Sequence, residues 1–253
     1  MSINKKGNFL IDLVILYVYK KFCMYSIWDN IWEKDVYSKE DDRTIRSQVK
    51  LDIFKSMGVD FGNYQSIGDF GGGAGYVVEE ILKAPNVIKE VCLYDGSQTA
   101  LQLAKEKLDY RKDIVCKFYH QDLNTPLPAD HNKFDLILCF GILEHLEKMD
   151  QCLDSVYNCL KSGGDLLIVW SYRNSFFYIQ RKILHLLGKW NYSYQKEVTK
   201  KFLDRFLDGK FKIVSQKIVP DICGKGILTS MDIISHKLID ATGRYMFIHL
   251  KKI

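Results

Sequence analysis

Short apolar runs alternate with helix-period segments from Gln65 to Trp170. Ser66–Phe70 is followed by a glycine cluster and then by Val77, Val78, Ile81 and Leu82, which share one helical face. Val91–Tyr94, Ile114–Tyr119, Phe134–Phe140 and Leu166–Trp170 are further apolar runs of strand length. Ser97 is placed to cap a helix bearing Ala100, Leu101, Ala104 and Leu108. Met149, Leu153, Val156, Tyr157 and Leu160 recur at i, i+4, i+7, i+8 and i+11, and Gly163 and Gly164 are expected to stop that helix. Strand and helix alternating at this pitch predict a parallel sheet covered by helices on both faces. Ligands in such sheets bind beyond the carboxyl ends of the strands.

The pattern divides the chain into three parts. Residues 1–64 read as a helical cap, with Asp42–Met57 leading into the first strand. Residues 65–170 form the alternating core. Residues 171–253 hold an amphipathic helix, Ser175–Leu187, stopped at Gly188, and a further helix carrying Val198, Phe202 and Phe206. Two last strands, Phe211–Val219 and Arg244–Leu250, follow. No internal repeat is visible.

Composition narrows the class. Hydrophobic residues make up 47% and charged residues 26% of 253 positions, which excludes a disordered or low-complexity chain. The longest apolar run, Phe9–Tyr19, contains Asp12, falls short of the ~20 residues of a membrane span and lacks a signal-type cleavage site. It reads as a packed or interfacial helix. The seven cysteines include no Cys-x-x-Cys pair and no ligand-spaced Cys/His cluster. Buried free thiols of a reduced, cytoplasmic protein without a metal are expected.

The densest chemical signal is Asp69-Phe70-Gly71-Gly72-Gly73-Ala74-Gly75, directly after a strand and opening a helix. Glycines there let the backbone turn sharply and approach a ligand closely. A phosphate loop of the Walker kind would end in Gly-Lys-Ser/Thr, but Gly75-Tyr76-Val77 stands here. A dinucleotide fingerprint would need glycine at 76 or 78, where Tyr76 and Val78 stand.

The loop resembles the first motif of class I S-adenosylmethionine-dependent methyltransferases, with Gly72 where Cys is common. Later elements repeat the resemblance in order: Tyr94-Asp95, His120-Gln121-Asp122-Leu123, Phe134-Asp135-Leu136-Ile137, and Leu160-Lys161-Ser162-Gly163-Gly164. It covers about residues 60–170. It implies an α/β, doubly wound, Rossmann-like sheet of seven mostly parallel strands with helical additions at both ends. It also implies S-adenosyl-L-methionine as cofactor. Asp69 and the loop glycines Gly71, Gly73 and Gly75 would hold the methionine part. Asp95 would meet the ribose hydroxyls, Asp122 the adenine amino group, and Leu123 and Phe140 complete the cofactor set.

After the fourth strand, Leu143-Glu144-His145-Leu146 is similar to the run in ubiquinone-biosynthesis-type methyltransferases. His145 is the candidate base, because imidazole titrates near neutrality. The alternative is that Glu144 and His145 shape the loop. Phe140-Gly141-Ile142 does not match the Asn/Asp-Pro-Pro-Tyr of base and glutamine methyltransferases. Gly141 stands where metal-dependent RNA-end enzymes carry their first Glu, and Glu144 and Glu147 are too close for the arginine enzymes' pair.

The acceptor is expected on the added segments. Trp170–Tyr194 holds 8 aromatic residues in 25, interleaved with Arg173, Arg181, Lys182 and Lys189. The formal charge of +5 is unevenly spread. The core carries 10 basic and 16 acidic side chains, and residues 171–253 carry 16 basic and 6 acidic. A basic substrate side favours an anionic acceptor. The expectation is methyl transfer to an oxygen or nitrogen atom of a small-molecule, glycan or lipid-linked acceptor, with peripheral membrane contact as a further partner. Nucleic acid is disfavoured, because no added RNA-binding domain is visible. The competing classes are an idle cofactor-binding module and an RNA methyltransferase.

Overall fold

Consecutive residues of the central strands face opposite sides of the sheet, and both sides are apolar. Val91 and Leu93 enter one core while Cys92 and Tyr94 enter the other; Leu136 and Leu138 part in the same way from Ile137 and Cys139. A strand apolar on both faces belongs in a sheet covered by helices on both sides. The computed structural model of the chain describes residues 28–33, 40–127, 132–187, 189, 200–221, 227–239 and 241–253. Phe9–Tyr19, Gly188, Val198, Trp190, Tyr192 and Tyr194 lie outside the described residues.

The chain runs through α1 (helical at residues 28–33) and α2 (Glu40–Ser56) into β1 (Ser66–Phe70), α3 (Tyr76–Lys83) and β2 (Glu90–Asp95). It continues through α4 (Gln98–Leu108), β3 (Val115–His120), β4 (Phe134–Phe140), α5 (Met149–Cys159) and β5 (Leu160–Ser171). Then come α6 (Phe176–Leu186), α7 (Lys200–Leu207), β6 (Phe211–Val219), α8 (Ile227–Leu238) and β7 (Tyr245–Lys252). The seven strands lie in the order β3-β2-β1-β4-β5-β7-β6. β1 to β5 pair in parallel, and β7 is antiparallel to both neighbours. The order reverses between β1 and β4, which opens a crevice at their carboxyl ends. α2, α3 and α4 pack on one face, and α5 and α7 on the other.

The predicted strands are all present, with end shifts of one or two residues at β2, β3 and β7, while β5 starts six residues earlier than expected. Two expectations are corrected. The helix carrying Met149 ends at Cys159, before Gly163-Gly164, and Leu160 already pairs with Phe134 as the first residue of β5. The Lys252 ammonium, from the last strand, donates to the carbonyls of Tyr157 and Leu160 at 2.7 and 2.6 Å and so satisfies carbonyls where the helix ends. The second correction is α8, which the apolar pattern did not announce. Ser97 does cap α4, accepting from Ala100 N–H at 3.1 Å.

Two of the quoted motifs meet at the amino-terminal end of the sheet, away from the crevice. Asp135 accepts from the backbone N–H of Gln65 and Ser66, both at 3.0 Å, and from Lys161 at 2.7 Å. The Phe-Asp-Leu-Ile and Leu-Lys-x-Gly-Gly patterns thus clamp β1, β4 and β5 together.

Phe54 of α2 is fully buried; it stacks on Phe140 at 5.3 Å and meets Phe247 edge-on at 5.3 Å. It fastens the amino-terminal cap to β4 and β7. Phe54→Ala is expected to cost about 3–5 kcal/mol of unfolding free energy, read from denaturant melts; a loss below about 1 kcal/mol would detach this helix from the fold's stability.

Candidate functional site

β1 ends at a loop that only glycine accommodates. Gly71 has φ +79°, and a Cβ there would stand 2.6 Å from Ile142. Gly73 has φ +53°, and its Cβ would stand 2.6 Å from the Trp32 ring. Both glycines keep the backbone against the floor of a cavity of about 290 Å³ at the carboxyl ends of β1, β2 and β4. Seven of the eight sequence-predicted cofactor residues line it: Asp69, Gly71, Gly73, Asp95, Asp122, Leu123 and Phe140. His145 lines it too. Gly75 does not; it turns the chain into α3 and packs on α4, where a Cβ would meet Ala104 at 3.2 Å.

Asp95 locks the loop. One carboxylate oxygen accepts from Gly73 N–H at 2.8 Å and the other from Ser97 N–H at 2.8 Å. Burial raises its pKa, and these two backbone donors oppose the rise. Asp122 folds its own turn, accepting from the backbone and side-chain amides of Asn124 at 2.9 and 3.1 Å.

Asp69 is 3% exposed, and no donor among the described residues reaches its carboxylate. Burial, then the nearby Asp95 charge, pushes its pKa up to about 7, against the opposing charge of Lys50. A Cβ at position 72 would stand 2.7 Å from an Asp69 carboxylate oxygen, so Gly72 leaves this acid room. Two acids in one cleft, Asp69 buried and Asp95 half-buried, favour a cationic ligand.

The sequence reading missed the amino-terminal wall. Trp28 and Trp32 of α1 and Arg43, Arg46, Ser47 and Lys50 of α2 also line the cavity. Asp29 anchors α1 by accepting from the Ser97 hydroxyl at 2.5 Å. The Arg43 guanidinium lies 4.1 Å from the Trp32 ring. The signal was present: Arg43, Arg46 and Lys50 fall at i, i+3 and i+7, while Leu51 and Phe54 take the core side.

A second cavity, of about 440 Å³, adjoins the first. Phe140, Trp170, Phe177, Tyr245 and Phe247 supply apolar walls, and Arg46, Lys50 and Arg244 supply charge. Arg244 pairs with buried Asp221 and stacks 3.8 Å from Phe177. Glu144 also faces this cavity and is 4% exposed. Its Oε1 accepts from the Ser171 N–H and hydroxyl, both at 3.2 Å, whereas its buried Oε2 has no partner among the described residues. Burial raises the Glu144 pKa, partly opposed by the Ser171 donors. His145 meets Trp28 edge-on at 5.0 Å, and burial, with Arg181 nearby, depresses its pKa to about 4. Among the described residues no group of three or more His, Cys, Asp or Glu is arranged to hold a metal ion. The five described cysteines are free thiols.

Comparison with known proteins agrees with this geometry. Residues 69–166 match a methyltransferase domain family. A ubiquinone/menaquinone biosynthesis C-methyltransferase of Wigglesworthia glossinidia brevipalpis is 33% identical over 106 residues, 42% of either chain. The chain thus spans less than half the length of the curated relatives it matches. A Haloferax volcanii methyltransferase solved with the Trm112 methyltransferase activator superposes with TM-score 0.65 at 16% identity, covering 90% of this chain and 96% of that one. A Thermotoga maritima S-adenosylmethionine-dependent methyltransferase gives TM-score 0.62 at 16% identity, covering 91% and 100%. Residues 69–166 thus match a methyltransferase domain, and the chain shares the fold of solved S-adenosylmethionine-dependent methyltransferases.

The site fits that cofactor. The glycine cradle leaves room for a ligand backbone, Asp69 and Asp95 match its positive charges and hydroxyls, and Leu123, Phe140 and Ile142 offer apolar surface to a flat base. Asp69→Asn should weaken S-adenosylmethionine binding at least tenfold in calorimetric titration at pH 7.5. The same variant without ligand should be more stable than wild type by about 2–4 kcal/mol at pH 8. The sign follows from a folded pKa near 7 against 3.8 unfolded, so stability falls as pH rises between those values. The gap should vanish below about pH 4. Equal stabilities at pH 8 would contradict the buried, unpaired acid.

Proposed function

We infer that the chain transfers the methyl group of S-adenosylmethionine to a flat, largely apolar small-molecule or lipid-linked acceptor that carries an ionisable hydroxyl or carboxyl group. The observation that carries this reading is the junction of the two cavities. They share Trp28, Arg46, Lys50, Phe140, Gly141 and His145, at the carboxyl end of β4. The cofactor, when bound, supplies an activated methyl group on a sulfonium. The residues of this chain position the acceptor, which is the main demand of a displacement whose donor is already activated.

Aromatic walls favour a ring, and Arg46 and Lys50 favour a negative charge on it. Burial raises the Glu144 pKa, and in its protonated form the Oε2, which has no partner among the described residues, would donate a hydrogen bond to an acceptor anion. An acceptor bound as the anion needs no strong base, and an ionised ring hydroxyl activates both its oxygen and the adjacent ring carbon. The curated relatives, named for C-methylation in quinone biosynthesis, fit a ring acceptor. Their names add carbon to the oxygen or nitrogen acceptor that the motifs suggested. His145, neutral down to about pH 4, serves as a wall against Trp28 better than as a base working near neutrality.

The test pairs titration with S-adenosylmethionine and methyl transfer from labelled cofactor into extract fractions of aqueous metabolites, lipids and RNA. Label in the lipid or small-aromatic fraction is expected; label in RNA, or cofactor binding without transfer to any fraction, would overturn the reading. With an acceptor in hand, Glu144→Leu should raise KM at least tenfold with unchanged cofactor affinity, and Glu144→Gln should recover much of the loss. Unchanged KM in the leucine variant would remove Glu144 from acceptor binding.

For His145 the expected outcome concerns pH. The kcat/KM profile between pH 5.5 and 8 should have no limb that His145→Ala abolishes. A limb near pH 6.5 that disappears in that variant would restore the base assignment.

A further inference from the structure

α6 and α8 pack side by side beside the acceptor cavity. The Asp232 carboxylate of α8 accepts from Phe176 N–H at the start of α6 at 2.7 Å, and Phe177 of α6 lines the cavity. Each helix leaves an apolar face uncovered. On α6 and its end these residues are Ile179, Ile183, Leu186 and Leu187, at i, i+4, i+7 and i+8. On α8 and its end they are Ile227, Met231, Ile234, Leu238 and Ile239. These nine are more than half of the 17 exposed large apolar residues among the described positions, and Leu186 and Leu238 are 85% and 79% exposed. Scattered surface leucines are ordinary; such a concentration on two adjacent helices marks a binding face.

Charge decides what the face meets. α6 contains no acidic residue, and the one acid of α8, Asp232, is 1% exposed and turned inward. Among the described residues, the exposed charged ones on and just beyond these helices, Lys182, Lys189 and Lys237, are basic; Asp240, the next acid in the sequence after α8, lies outside the described residues. The segment 171–253 carries 16 basic against 6 acidic side chains. An apolar face whose described exposed charges are lysines suits the boundary of an anionic bilayer, where side chains enter the acyl region and ammonium groups meet lipid phosphates. A second copy of this chain would bring lysine against lysine. No helix among the described residues is long and apolar enough to cross a membrane, so contact through this face is peripheral.

We propose that α6 and α8 form a platform that seats the protein on an anionic membrane surface, with the acceptor cavity opening beside it. The proposal stands apart from the acceptor assignment, because vesicle binding is measured without cofactor or acceptor.

The test is co-sedimentation of the full chain with phosphatidylcholine vesicles containing a quarter phosphatidylglycerol, against phosphatidylcholine alone. Wild type should bind the anionic vesicles at least tenfold more tightly, and binding should weaken in 0.5 M salt. Leu186→Ser with Leu238→Ser should reduce binding at least tenfold while S-adenosylmethionine affinity and the melting temperature stay unchanged, which separates lost docking from lost folding. Lys182→Glu with Lys237→Glu should remove the preference for anionic lipid. No binding by wild type, or binding that the serine variants leave intact, would overturn the proposal. So would a dimer in solution that the serine variants dissociate.

Discussion

The carboxylate of Asp95 holds the site together. It stands at the end of β2 and accepts one backbone N–H from the glycine loop and one from the start of α4. The loop after β1 is also tied to β2 by Gly71 N–H donating to the Tyr94 carbonyl at 2.7 Å. These bonds fix the path of residues 71–75, which sets the cavity floor and places Gly73 under Trp32. α1 is joined to the same point, because Asp29 binds the Ser97 hydroxyl. One half-buried acid therefore links β1, β2 and α4, and through Ser97 the amino-terminal cover.

That arrangement is electrostatically costly without a ligand. Buried Asp69 neighbours half-buried Asp95, and Lys50 only partly offsets the effect on Asp69. Arg46 and Lys50 line both cavities, and in the second, which Arg244 also lines, burial shifts the acid Glu144 toward neutrality. The excess of acid is thus greatest at the glycine loop and falls away toward the second cavity.

Most of the framework was legible because it rests on short-range rules. Short apolar runs marked the strands, Ser97 marked a cap, and glycine spacing marked the loop. The miss at the end of α5 shows where local rules stop. Gly163-Gly164 is a helix-stop signal, yet α5 ends before it, and Lys252, 92 residues beyond Leu160, satisfies carbonyls there. α8 was missed for a related reason: its apolar residues cover no core, so its pattern does not resemble that of a packed helix. Gly75 shows the opposite error, a motif position that serves helix packing and not the cavity.

The sequence by itself determined the fold class, the glycine loop and the acids at successive strand ends, because each depends on residues close together in the chain. Tertiary structure alone decided which residues complete the site. Arg46 and Lys50 come from a helix before the core, Glu144 from the turn after β4, and Phe177 and Arg244 from the tail. Their convergence follows from the reversal of strand order between β1 and β4, which no local pattern encodes. Tertiary structure also decided protonation. Burial moves Asp69 and His145 in opposite directions, toward the neutral form in each case, and burial is a property of the packed chain.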